Sequence, residues 1–271
     1  MTVVAVTMVR DEADVIASTV RRMLAQVDAV IVADNLSTDE TRPILDALAD
    51  EYSSLLIVDD PDPAYRQSEK MSALAQRARA EFGATWIVPF DADEVWYSPF
   101  ADTISEVLAE VPDRHHVVPA DLFDHVATAL DPDEVDPVAR IGWRRRDRAP
   151  LRKVAARYRA DLVIEQGNHG AHYDAFAPGL FDPVLVVRHF PYRSVEQFLR
   201  KVRNGSAAYR AAGTFDPRIG AHWRQWGDLL DSSGEEAVAE IFRKWYWRAT
   251  PGEPTGIERE NQPALLYDPA P

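Results

Sequence analysis

Strand-like and helix-like segments alternate four times in the first 90 residues of the chain. The strand-like segments are short, apolar and rich in β-branched residues, and they cover residues 2–9, 29–33, 55–58 and 85–90. The segments between them repeat their apolar residues at helical spacing. Because the strands are apolar throughout, the pattern predicts an α/β fold with a mostly parallel, doubly wound sheet.

The alternation becomes less regular after residue 100. The pattern there predicts a helix at 104–111, strands at 116–120 and 184–189, and helices from 194 onward that include 223–230 and 235–247. We therefore expect a core over residues 1–190 and a helical C-terminal region over residues 191–250 that packs on it. Residues 251–271 contain five prolines and little periodicity, which predicts an extended tail.

Composition excludes several classes of protein. The chain has no cysteine, which excludes thiolate nucleophiles, zinc ribbons, iron–sulfur clusters and disulfides. Its net charge of −14 argues against binding to nucleic acids or anionic membranes, both of which require a basic surface. We find no signal peptide and no apolar stretch near the length of about 18–20 residues that spans a membrane. These features predict a cytoplasmic protein without a transmembrane segment.

Carboxylates cluster directly after three of the predicted strands, at residues 10–12, 34–39 and 91–94. The carboxyl ends of strands form the ligand-binding edge of an open α/β sheet. The first glycine is Gly83, so neither of the usual glycine-rich phosphate loops fits the first three strand–helix units. Crowded carboxylates favour a hard divalent cation such as Mg²⁺ or Mn²⁺. The plainer interpretations are that Asp11 caps the first helix, that residues 37–40 form a capping box, and that the D-x-D pair is an ordinary acidic loop.

Three segments within the first 97 residues have the order and spacing of a known pattern. Residues 9–14 (VRDEAD) are similar to a strand-one N-E segment, with Asp11 where asparagine is usual. Residues 33–41 (ADNLSTDET) are close to D-(D/N)-x-S-x-D-x-T, and residues 86–94 (WIVPFDADE) are similar to a D-x-D metal motif. In these segments the chain resembles the family 2 glycosyltransferases of GT-A fold.

Two later segments extend the resemblance to a bacterial subgroup of this family with a D-x-D-E metal motif. They are residues 167–169 (GNH) and residues 189–194 (HFPYRS), which are followed by residues 196–201 (EQFLRK). The resemblance implies a GT-A type sheet with a helical C-terminal extension. It also implies a metal-dependent transfer of a sugar, hexosyltransferase-like and inverting in most members, from a nucleoside-diphosphate sugar to an acceptor hydroxyl.

The resemblance and the strand-end positions together nominate the residues of the donor site. The base and ribose would be held by the segment that begins at Met8 and contains Val9, Arg10 and Glu12, together with Asp34 and Asn35. Asp91 would contact the ribose or the metal, Asp93 would ligate Mn²⁺ or Mg²⁺, and His189 is a candidate third ligand or phosphate contact. UDP is favoured over GDP or dTDP as the donor nucleotide, and the acceptor stays open.

Several cations are further candidates for the donor site. Arg66, Lys70 and Arg193 are expected near the donor, and Lys153 is a cation in the middle of the chain. The arginines at 144–146 would grip a phosphate or the acceptor. For each of these, a solvated surface charge is the plainer alternative.

Inversion requires a base that removes the proton of the acceptor hydroxyl. The candidates are Glu165, His169 and Asp174, with Glu94 as an outsider, and the sequence does not choose among them. Four tryptophans in the C-terminal region are candidates for stacking on sugars or for ordinary core packing. They are Trp223, Trp226, Trp245 and Trp247.

Two other functions compete with transfer to an acceptor. One is a metal-dependent nucleotidyltransferase acting on a sugar phosphate, which would typically carry the glycine-rich loop that is missing here. The other is a non-catalytic protein that binds a nucleotide sugar. A homodimer is compatible with all three interpretations.

Overall fold

A single eight-stranded sheet organises the structure, which is a computed structural model. It describes residues 1–182, 185–213, 219–245, 247–248 and 256–260, and for residues 245, 247 and 248 it describes only the backbone. Among these residues, no helix combines the length and the apolar composition that crossing a membrane requires.

The predicted strands and helices recur in their predicted order, and the structure adds further strands and a helix. The strands are β1 (Val3–Val9), β2 (Ala29–Asp34), β3 (Leu55–Asp59), β4 (Trp86–Pro89), β5 (Glu94–Tyr97), β6 (Val117–Asp124), β7 (Ala127–Thr128), β8 (Trp143–Arg145), β9 (Lys153–Arg157), β10 (Leu162–Ile164), β11 (Ala171–Tyr173), β12 (Leu185–His189), β13 (Trp247–Arg248) and β14 (Ile257–Arg259). The helices are α1 (Ile16–Leu24), α2 (Thr41–Glu51), α3 (Gln67–Phe82), α4 (Ile104–Ala109), α5 (Pro137–Arg140), α6 (Val195–Ala211) and α7 (Ala221–Trp245). The added elements are the strands β5, β7–β11, β13 and β14 and the helix α5. A short 3₁₀ helix covers Gln166–Asn168.

The strand order in the large sheet is β3-β2-β1-β4-β9-β6-β12-β5. The pairs β3-β2, β2-β1, β1-β4 and β6-β12 are parallel, and the other three neighbouring pairs are antiparallel. The mostly parallel α/β sheet predicted from the sequence is therefore confirmed. Because β1 lies between β2 and β4, the residues that follow these three strands meet at one edge of the sheet.

Helices cover both faces of the sheet, as expected of a doubly wound fold. Alternate residues of β1 face opposite sides: Val3 and Ala5 pack in a cluster with α1, α2 and α4, whereas Val4 and Val6 pack in a second cluster with α3. The strand residues are buried on both sides, which explains why the strands appear as continuous apolar runs rather than alternating ones.

Two predicted helix caps differ from the structure. The helix α1 begins at Ile16, and the carboxylate of Asp11 instead accepts hydrogen bonds from the backbone N–H groups of Thr38 and Asp39, at 2.6 and 3.3 Å. The hydroxyl of Ser37 accepts from the N–H of Asp11 at 3.1 Å, so residues 37–40 do not form a capping box. Both side chains are used to join the segments after β1 and β2.

The C-terminal helices pack against each other through a separate apolar cluster. It includes Phe198 and Val202 of α6 and Val238 of α7, and Trp223 and Trp226 pack against it. The long segment α7 is broken at Gly234, where φ is +81°, which agrees with the two helices predicted there. The side chains of residues 245 and 247, two of the predicted tryptophans, and residue 184 of the predicted strand lie outside the described residues. The division at residues 190 and 250 stays a prediction.

One described segment of the predicted tail is anchored in the core. The strand β14 pairs with β8, and the carboxylate of Glu260 lies beside two buried groups. It is 2.8 Å from Nε2 of His125 and 2.9 Å from Nε of Arg188. Arg188 is buried, so the carboxylate of Glu260 compensates a charge that has little access to water.

Replacing Glu260 by alanine should lower the free energy of unfolding by about 3 kcal/mol, because the guanidinium of Arg188 would stay buried without its counter-ion. Glu258→Ala is the matched control, since Glu258 lies two residues before Glu260 and pairs with Arg144 of β8 but is partly exposed. That variant should lose less than about 1 kcal/mol. Urea denaturation measures both values, and equal losses would contradict the assigned role of Glu260.

Candidate functional site

A cavity of about 350 Å³ lies at the carboxyl ends of β1, β4 and β12. Its floor is made by residues at the ends of β1 and β12 and by residues that follow β1, β2 and β4. They are Met8, Val9, Arg10, Glu12, Asn35, Asp91, Ala92, Asp93 and His189. The helices α6 and α7 cover the opposite side with Lys201, Asn204, Gly205 and Trp223. Gly205 allows this close approach, because a Cβ there would lie 3.0 Å from the Trp223 ring.

Asp91 is held by three donors from distant parts of the chain. Its Oδ1 accepts from Nε2 of Gln67 and from Nδ2 of Asn168, each at 3.0 Å. Its Oδ2 lies 2.6 Å from the ammonium of Lys153. The side chain is one-third exposed, so these donors fix the carboxylate and still leave it open to the cavity.

Lys153 is a buried cation beneath the D-x-D-E segment. Its Nζ lies 2.7 Å from Oε1 of Glu94, and it donates to the carbonyl of Gly167 at 2.9 Å. Burial alone would lower the pKa of Lys153, but Asp91 and Glu94 raise it above the ordinary lysine value. Glu94 is fully buried, and burial raises its pKa despite the neighbouring ammonium. Lys153 is therefore the charge that compensates both carboxylates.

Asp93 is buried at the floor of the cavity and is surrounded by cations. Its Oδ2 accepts from Nζ of Lys201 and lies 3.8 Å from a terminal nitrogen of Arg193. Its Oδ1 faces Nε2 of His189 at 3.7 Å. Burial raises the pKa of Asp93, but Lys201 and His189 hold it well below its ordinary value, so the group is a carboxylate.

His189 is oriented by a carboxylate behind it. Its Nδ1 lies 2.8 Å from Oδ1 of Asp124 at the end of β6, which leaves Nε2 directed at Asp93. Burial lowers the pKa of His189, whereas Asp93 and Asp124 raise it, and the net direction is upward. This carboxylate–imidazole–carboxylate arrangement was not predicted, because it joins three strands.

Arg193 links two segments of the chain instead of lining the cavity. Its guanidinium is buried, donates to Glu12, and lies 2.7 Å from Oδ2 of Asp14. Burial lowers the pKa of Arg193, but Glu12 and Asp14 raise it overall. For Glu12, which does line the cavity, burial outweighs Arg193 and raises the pKa.

The residues predicted near β2 are only partly brought to the cavity. Asn35 lines it, but its Nδ2 also donates to the carbonyls of residues 60 and 62. Lys70 holds the same loop, with Nζ 2.7 Å from Oδ2 of Asp60. Asp34 accepts from the N–H of Ser37 at 3.2 Å and does not line the cavity, and neither does the exposed Arg66.

The three candidate bases lie outside the cavity lining. Glu165 is half exposed and lies 3.5 Å from Nδ1 of His172, and Asp174 is exposed. The Nδ1 of His169 lies 2.9 Å from the carbonyl of Arg152. Burial, followed by the nearby Lys153, lowers the pKa of His169, so its imidazole is neutral at pH 7.

Asp93 and His189 are the side chains of the cavity that could hold a divalent cation. Within the described ranges, no three His, Asp or Glu side chains lie close enough together to hold a metal ion. Asp93 and His189 nevertheless offer one oxygen and one nitrogen 3.7 Å apart, and Asp124 supports the imidazole as outer carboxylates do in metal sites. Mg²⁺ commonly uses one or two protein ligands and takes the rest from water and phosphates. The pair therefore fits a cation shared with a phosphate ligand.

Several residues of the site were not among the predicted site residues, and three of them hold the two aspartates. Gln67 and Asn168 hold Asp91, and Lys201 holds Asp93. Asn168 and Lys201 lie outside the range that matches the family model, although both fall within segments that the sequence analysis singled out. Gln67 had no such signal, because it is an ordinary polar residue at the start of α3.

Comparison with known proteins gives one match to a family. The sequence matches the model of Glycosyl transferase family 2 over residues 4–135. This range runs from the second residue of β1 to beyond β7 and contains both aspartates of the D-x-D segment. No curated protein matches the sequence.

Several solved structures resemble the chain at low identity. The mannosyltransferase PcManGT from Pyrobaculum calidifontis, in complex with GDP-Man and Mn²⁺, has a TM-score of 0.41 and 17% identity, and the match covers 89% of this chain and 73% of that one. TarS 1-349 from S. aureus, in complex with UDP, has a TM-score of 0.43 and 12% identity, with 86% and 73% covered. Glucosyl-3-phosphoglycerate synthase from Mycobacterium tuberculosis, with Mn²⁺ and UDP, has a TM-score of 0.32 and 21% identity, with 45% and 44% covered.

Replacing Lys153 by methionine should make stability depend more steeply on pH. Without the ammonium, buried Glu94 stays protonated in the folded protein above the pH near 4.5 at which it ionises when unfolded. The folded state then binds more protons, so the free energy of unfolding falls as the pH rises. We expect the deficit relative to wild type to grow between pH 5 and pH 8 in urea titrations.

The double variant Lys153→Met with Glu94→Gln is the control for this pH dependence. It removes the buried carboxyl group that would take up the proton, so most of the added slope should disappear. A deficit in Lys153→Met that is the same at both pH values would refute the pairing of Lys153 with Glu94.

Proposed function

We propose that the chain is a glycosyltransferase that transfers a sugar from a nucleoside-diphosphate donor to an acceptor hydroxyl. The observation that carries the proposal is the pairing of Asp93 with His189 on the floor of the cavity, next to the open carboxylate of Asp91. The match of residues 4–135 to the family 2 glycosyltransferases supports it independently. A GT-A type site would place its donor at this same edge of the sheet.

The donor nucleotide would occupy the part of the cavity that the segments after β1 and β2 enclose. We assign contacts with the base and ribose to Val9, Arg10, Glu12 and Asn35, which line the cavity. Asp91 is assigned to the ribose, because Lys153 and its two amide donors fix the direction of its carboxylate. Asp34, Arg66, Lys70 and Arg193 would support these segments from outside the lining.

Asp93 and His189 would hold Mn²⁺ or Mg²⁺, with the diphosphate and water completing the coordination. A divalent ion there supplies Lewis-acid stabilisation of the charge that develops on the leaving diphosphate. Asp124 keeps Nε2 of His189 available for this contact. The low pKa of Asp93 keeps it ionised at every pH relevant to activity.

An inverting transfer of a hexose is the proposed stereochemical course. Among the three candidate bases, His169 is neutral, and its Nδ1 is engaged by a carbonyl, so Nε2 carries the lone pair that a base needs. Glu165 and Asp174 are exposed carboxylates outside the cavity lining and stay as the alternative bases. UDP is the first donor nucleotide to test, ahead of GDP and dTDP.

Asp93→Asn should reduce sugar transfer by about a hundredfold or more, because the neutral amide removes the charge that would hold the cation. The measurement is release of nucleoside diphosphate from the donor at saturating Mn²⁺. Asp113→Asn is the control, since Asp113 is fully exposed and far from the cavity lining. Near-normal turnover of Asp93→Asn without added metal would count against the proposal.

UDP-, GDP- and dTDP-sugars should differ in how far they raise the melting temperature in the presence of Mn²⁺, because a ligand stabilises the folded state according to its affinity. We expect the largest shift with a UDP-sugar and a smaller shift when Mn²⁺ is omitted. Binding that ignores Mn²⁺, with no donor breakdown, would favour a non-catalytic binding protein. Release of pyrophosphate would identify a nucleotidyltransferase.

A further inference from the structure

Lys201 occupies the position at Asp93 where a cation would be expected. Its side chain lies on α6, and its ammonium donates to Oδ2 of Asp93 and, at 3.3 Å, to the carbonyl of Pro191. Oε1 of Glu12 lies 3.8 Å from the same nitrogen. The side chain is 23% exposed and lines the cavity, so it is accessible to a ligand there.

Arg193, the second cation beside Asp93, is almost fully buried, whereas Lys201 is partly exposed. The side chain of Arg193 is 1% exposed and is locked between Glu12 and Asp14. Lys201 reaches Asp93 through a flexible four-carbon side chain with rotatable donors. Because this side chain lines the cavity, its ammonium has space into which it can move. A change of charge at Asp93 would therefore move Lys201 rather than Arg193.

A divalent ion bound to Asp93 would repel the ammonium of Lys201, because both positive charges would lie next to the same carboxylate. The cavity lining carries the carboxylates Glu12, Asp91 and Asp93 against the cations Arg10 and Lys201. A divalent ion would add two positive charges to this lining, which also contains His189, and an excess of positive charge suits a diphosphate. The displaced ammonium would then have a new anionic partner within reach.

We propose that Lys201 is a built-in counter-ion, which holds Asp93 in the donor-free protein and transfers to the donor diphosphate when a divalent ion binds Asp93. The inference rests on the proposed function of the cavity. The divalent ion and the nucleoside diphosphate would then bind cooperatively. The ion replaces the ammonium of Lys201 at Asp93, and the diphosphate provides the displaced ammonium with a new anionic partner. Coupling of this kind is reciprocal, so either ligand strengthens the binding of the other.

The test compares Lys201→Met with wild type in two titrations by calorimetry. With Mn²⁺ alone, the variant should bind about tenfold more tightly, because the competing charge is gone. With UDP at saturating Mn²⁺, it should bind about tenfold more weakly, because the diphosphate has lost a charged partner. Opposite changes in the two affinities are specific to this role, since a merely damaged site would weaken both.

Arg203→Met is the matched control on the same helix. Arg203 is half exposed, pairs with Glu235 and does not line the cavity, so both affinities should stay at the wild-type values. If Lys201→Met does not fold by circular dichroism, Lys201→Gln carries the same two expectations, because it keeps a hydrogen-bond donor and loses the charge.

Unchanged or weaker binding of Mn²⁺ to the variant would overturn the inference, and so would unchanged binding of UDP. Absence of Mn²⁺ binding to wild type and variant alike would overturn it too. The proposed function fails separately: a wild-type protein that binds Mn²⁺ and UDP cooperatively but transfers no sugar would refute transfer and leave the role of Lys201 standing.

Discussion

The compensation of three clustered carboxylates, two of them buried, by two lysines is the interaction on which the site depends. Asp91 and Glu94 share Lys153 of β9, and Asp93 is paired with Lys201 of α6. An ionised carboxylate buried without such a partner would be costly enough to take up a proton or disrupt the fold. The cavity therefore forms only when the second half of the chain packs on the first, although all three carboxylates follow β4.

The sequence predicted the first half of the fold well because the relevant signals are local. The observed β1, β2, β3 and β4 each lie within a residue or two of the predicted strands, since an apolar run between helical segments is visible in a short window. The insertion of β9 between β4 and β6 was beyond such a window, because it depends on pairing between segments about 70 residues apart in the chain. The same reason explains the caps: the carboxylate of Asp11 found partners after β2 instead of in its own helix.

The sequence could predict which acidic residues lie at the strand ends of the site, but it could not predict which side chains hold them. The position of Asp91 and Asp93 after a buried strand placed them at the ligand-binding edge, and the structure shows both lining a cavity there. The partners Gln67, Asn168 and Lys201 approach from three other elements, and no spacing rule connects them with β4. Lys70, which was predicted to lie near the donor because of its positive charge, instead pairs with Asp60 and holds a neighbouring loop.

The close approach of Gly205 to Trp223 gives the two sides of the cavity different freedom to change. On the floor, every charge is tied to another, so a single exchange disturbs several partners at once. On the side covered by α6 and α7, the distance between the two helices depends on the absence of a side chain at Gly205, which faces the Trp223 ring. A larger residue at position 205 would press on the indole of Trp223 and change the shape of this side of the cavity. Position 205 would therefore control the size of the molecule that the cavity admits.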